Sequence, residues 1–142
     1  MNTKIISADD VVLIRWGTVT VEGIEKAEAL VNDLKKKGGK VGYYAVVPGT
    51  APIPDEAARK RMGESLKVLG SICENINLVF EGRGLKIAAA RSVAASIFLV
   101  QGNRKMFMFS TLEEALQKQR PTDAAKLCAV AQEAGIYVAT PT

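Results

Sequence analysis

Histidine is absent from this 142-residue chain, and cysteine appears only twice, as Cys73 and Cys128. The first absence removes the side chain that most often moves protons near neutral pH. The second argues against a disulfide framework. The pair lacks CxxC spacing, so two reduced thiols packed within helix-patterned stretches are expected. Aromatic residues make up only 6% and do not interleave with basic ones, which argues against nucleic-acid binding despite a net charge of +4. No apolar run is long enough to span a bilayer, and the opening residues turn polar at Ser7, where a signal peptide would stay apolar. A single cytoplasmic domain is expected, with no metal, no cofactor and no membrane insertion.

The clearest positive signal lies between residues 75 and 109. An apolar run at 76–80 is broken by Gly82-Arg83-Gly84, a helix-forming stretch covers 85–100, and apolar residues return at 105–109 after Gly102-Asn103. That order is a βαβ unit. Upstream, residues 4–7 and 11–16 are β-prone on either side of Ala8-Asp9-Asp10, as in a hairpin. Thr20 is placed to cap a helix over 21–37, with Ile24, Ala27, Val31 and Leu34 on its inner face and Gly38-Gly39 as its stop. Residues 41–47 are nearly continuously apolar, as in a strand covered on both sides, and adjacent Tyr43 and Tyr44 point to opposite faces.

Prolines 48, 52 and 54 exclude helix and central strand, leaving a stiff loop before a helix that starts near Asp55. That helix is expected to run towards Glu74, with Ala58, Met62, Leu66, Leu69 and Cys73 on its inner face. The helix over 85–100 is apolar nearly all round and rich in alanine, which predicts burial or an interface. Ser110 and Glu113 have capping-box spacing for a helix over 111–118. A further helix over 123–134 carries Ala124, Leu127, Cys128 and Ala131 in register. The resulting order, β-β-α-β-α-β-α-β-α plus one helix, predicts an α/β domain. Its sheet is mixed, mostly parallel and of about five strands, with 41–47 and 76–80 at the centre.

This succession, with its opening hairpin, resembles a STAS domain, the superfamily named for sulphate transporters and anti-sigma-factor antagonists. It is most similar to stand-alone bacterial members, through the stretch from Glu81 to Val93 and the segment Phe109-Ser-Thr-Leu-Glu-Glu-Ala115. The similarity covers residues 3–118, with 122–134 as an additional helix. It implies protein recognition rather than catalysis. Antagonists of the superfamily carry a phosphorylatable serine in an Asp-Ser motif, where this chain has residues 48–55. That segment contains no serine, and Thr50 does not match the motif, so no phosphosite is carried over.

The expected function is a non-catalytic protein-interaction module in bacterial signalling, a homodimer formed through the third or the terminal helix, unless the terminal helix folds back on its own domain. The alternative is a binder of a small anionic ligand at the loops that end the strands. Its candidate contacts are Gly49, Thr50, Gly82, Arg83, Gly84, Lys86 and Arg91, where backbone N–H groups and basic side chains can meet an anion. A closed, polar-lined pocket between those loops would favour the ligand. A flat surface beside an exposed apolar helix would favour the protein partner. An enzyme ranks last.

Overall fold

The computed structural model describes residues 2–102 and 104–138, so Asn103 of the expected turn lies outside the described residues. The chain opens with β1 (Lys4–Ala8) and β2 (Val11–Arg15), an antiparallel hairpin. Asp9 takes a positive φ of 51° in its turn, a conformation that aspartate tolerates. Helix α1 (Val21–Lys36) follows, with Thr20 accepting the Gly23 N–H at 3.0 Å, and then β3 (Val41–Val47). Next come α2 (Glu56–Ile72), β4 (Cys73–Phe80), α3 (Leu85–Gln101), β5 (Met106–Phe109), α4 (Leu112–Gln119) and α5 (Ala124–Glu133).

The sheet order is β1-β2-β3-β4-β5, parallel from β2 onward. Both runs expected at the centre are internal strands. This sequential order has a direct consequence. Right-handed crossovers that always step the same way put every crossover helix on one face. Residues of α1, α2 and α3 accordingly share one core with Val12, Ile14, Tyr43, Ala45, Ile76 and Leu78. The opposite face, carrying Val11, Leu13, Tyr44, Val46 and Val79, can be covered only by chain that follows β5. Helices α4 and α5 cover it.

Two expectations change, and one open choice is resolved. The terminal stripe is core, because Ala124, Leu127 and Ala131 are buried against that second face and only Cys128 is half-buried. Of the two readings of the terminal helix, folding back on its own domain is the one observed. The second helix ends at Ile72 rather than near Glu74, and Cys73 opens an eight-residue strand. Strand β4 pairs with β3 through a register shift beside Val41, so extended backbone begins earlier than the apolar run does. The capping residue of α4 is Thr111, which accepts the Glu114 N–H at 3.1 Å. Ser110 instead accepts from Arg91, and Glu113 accepts from the Tyr137 hydroxyl.

Helix α3 is the exception to good packing. Only Ile87 and Ala94 of its residues are buried, while Leu85, Leu99 and Val100 are each more than 80% exposed.

Candidate functional site

The parallel strands end together, and two loops leave them side by side. After β3, Pro48 accepts the Ala51 N–H at 3.0 Å, and the proline segment then reaches α2. There Asp55 caps the helix by accepting the Ala58 N–H at 2.8 Å. After β4, the Glu81 N–H donates to Val47 at 3.0 Å before the turn into α3. Gly82 and Gly84 have φ of 91° and 109°, which side-chain-bearing residues rarely adopt. Gly49 and Gly82 touch backbone to backbone.

Beneath these loops lies a cavity of about 390 Å³. Small-molecule sites typically span roughly 300–1,000 Å³. Tyr43, Ala45, Leu78 and Phe80 of the sheet form its floor, and Met62 and Leu66 of α2 one wall. Ile87, Ala90, Ala94 and Ile97 of α3 form the other wall, with Trp16 and the proline loop closing the ends. The space exists because α3 presents alanines where larger side chains would meet the sheet. Its lining is almost wholly apolar. The charged residues among it are Arg59 and Lys86, both exposed and both basic. This arrangement excludes water from an apolar body and offers positive charge to whatever part of it stays wet.

The expected contact residues divide into groups. Gly49 and Lys86 line the cavity, and Gly82 holds the adjoining loop against Gly49. Thr50, Arg83 and Gly84 are exposed at the same end of the sheet but outside the lining. Arg91 lies apart. Its guanidinium sits 6.0 Å from the Phe80 ring centroid and donates to Ser110 Oγ at 2.9 Å, tying α3 to the chain after β5. Sequence reasoning missed Arg59, which belongs to an Arg-Lys-Arg run that reads as a solvated face. It also missed Trp16 as a wall. The alanine-rich helix and the proline loop were the available signals, and both border the cavity.

At the other end of the strands the polar groups are structural. Asn77, fully buried, donates to the Tyr43 carbonyl at 3.2 Å and to Asn75 Oδ1 at 2.8 Å, and accepts from Gln119 at 3.0 Å. Arg120 joins the end of α4 to the hairpin through Asp10 at 2.5 Å, with Glu74 at 3.7 Å. Burial raises the Tyr44 hydroxyl to about 12, partly offset by the Arg120 charge beside it. Burial likewise pushes the Cys73 thiol up to about 12, and raises Tyr43 as well. A thiol held protonated in this way is a packing group and a poor nucleophile.

Among the described residues, no group of three or more histidine, cysteine or acidic side chains is placed to hold a metal ion. No helix among them is long and apolar enough to cross a membrane. Comparison with models of known protein families, with curated proteins and with solved structures finds no match.

Proposed function

We propose that this protein is a non-catalytic binding module for a small amphipathic molecule, an apolar chain ending in a carboxylate or similar anion. The apolar cavity with Arg59 and Lys86 at its rim carries this reading. Apolar walls favour the chain without directional bonds, while two cations and no acidic lining residue select the sign of the head group. The cavity joins the two expectations drawn from the sequence. It lies between the two loops, as the ligand reading asks, yet its walls are apolar and the helix beside it is exposed. The resemblance to STAS domains supports the non-catalytic part of the proposal.

The test is thermal unfolding in the presence of dodecanoate, dodecanol or dodecylamine, each below its micellar concentration. A ligand that binds only the folded state raises the melting temperature with concentration. Dodecanoate should raise it most and dodecylamine least, and Arg59→Gln with Lys86→Gln should erase the difference. No shift with any of the three, or an equal shift with acid and amine in the unmodified protein, contradicts the proposal.

A further inference from the structure

Helix α3 turns a second apolar face outward, away from the cavity. At helical spacing Leu85, Ala88, Ser92, Leu99 and Val100 share that face, and Leu85, Leu99 and Val100 are 90%, 83% and 87% exposed. Large apolar side chains this exposed, at both ends of a face broken midway by Ser92 and Ser96, mark a docking surface. The charge of the segment itself is one-sided. Between Gly82 and Leu112 the chain carries Arg83, Lys86, Arg91, Arg104 and Lys105 and no acidic residue. Basic residues thus flank the helix at both ends.

We infer that this face docks the protein on an anionic lipid bilayer, lying in the interface without spanning it. Leucine and valine side chains enter the acyl boundary while the flanking basic residues meet lipid phosphates. A second copy of the chain fits poorly, because pairing α3 with itself in either direction brings basic ends together. A protein partner fits less well than a bilayer. The outward face offers no tryptophan, tyrosine or arginine to anchor an interface, and its Ser96 hydroxyl is turned back onto the Ser92 carbonyl at 3.0 Å. A bilayer requires none of these directional contacts.

Co-sedimentation with vesicles tests this, using phosphatidylcholine alone and phosphatidylcholine mixed with phosphatidylglycerol. The unmodified protein should pellet with the mixed vesicles and remain in solution with the zwitterionic ones. Added salt should weaken the binding. The double variant Leu99→Gln, Val100→Gln alters only exposed positions and adds no charge at the helix end, so its melting temperature should match the parent. Its partitioning should fall about a hundredfold, since two apolar anchors are lost. Arg83→Glu with Arg104→Glu should remove the preference for anionic vesicles. The cavity-filling variant Ala94→Leu should still bind vesicles, which separates this surface from the proposed ligand site. Failure to pellet with either vesicle, or equal pelleting of the parent and the double variant, overturns the inference. So does a dimer in sedimentation equilibrium that the double variant abolishes.

Discussion

Gly49 and Gly82 hold the two loops over the cavity in backbone contact: a Cβ on Gly82 would stand 3.5 Å from the Gly49 Cα. A Cβ on Gly49 would lie only 3.0 Å from the Glu81 carbonyl oxygen, and that oxygen belongs to backbone that cannot swing aside. Gly49→Val should therefore separate the loops. The expected cost is about 1–3 kcal/mol, the usual range for forced overpacking. Chemical denaturation measures it, and unchanged stability would show that the loops do not need this contact.

The opposite sign is expected inside the cavity. Ala94 is buried on its α3 wall, so Ala94→Leu adds apolar volume where none is opposed. Stability should rise by about 0.5–2 kcal/mol, as for other cavity-filling substitutions. The same change should remove the melting-temperature response to dodecanoate. Destabilisation together with retained binding would mean the space is not where the ligand sits.

Much of this was readable from local pattern. Ile24, Ala27, Val31 and Leu34 recur at helical spacing and all four are buried, because one helix can satisfy that pattern without reference to the rest of the chain. The boundary at Cys73 was not readable. Helix passes straight into strand from Ile72 to Cys73 with no intervening turn, so the helical period ran on into the strand. The place of α5 depends on the handedness of three crossovers and the direction in which the sheet grows, a relation among distant elements. The cavity belongs to the same class. Its alanines were visible, but what faces them comes from β3, β4 and α2, and Arg59 reaches the rim from the first turn of α2.

That global relation gives a test at Leu127, which is 1% exposed against the second face of the sheet. Leu127→Ala should cost about 2–5 kcal/mol, as for buried leucines elsewhere. Deleting the chain from Thr122 onward should strip Ala124, Leu127, Ala131 and Ile136 from the second core and unfold the domain. A truncated chain that melts at the parental temperature would contradict the burial of α5.

Alkaline pH should destabilise the fold in a defined window. Tyr44 and Cys73 titrate near 10.0 and 9.0 in ordinary surroundings and are held up to about 12 when folded. Between those values the unfolded chain has lost protons that the folded chain keeps, so stability falls as pH rises. Their contribution is fully present below about pH 9 and lost as pH approaches 12. With no histidine in the chain, no ordinary imidazole titration bends the curve between pH 5 and 8. Denaturation curves across this range measure the slope, and Cys73→Ala should make it shallower above pH 9. An equal slope in both proteins would show that the thiol is not the group responsible.

Trp16 is the sole tryptophan and forms part of the cavity wall, so its emission reports directly on what fills that space. The measurement is Trp16 fluorescence during titration with dodecanoate, in the parent and in Ala94→Leu. Occupancy predicts a saturable change in intensity or wavelength in the parent and none in the variant. A flat titration in the parent, or the same saturable change in both proteins, contradicts a ligand bound in the cavity under α3.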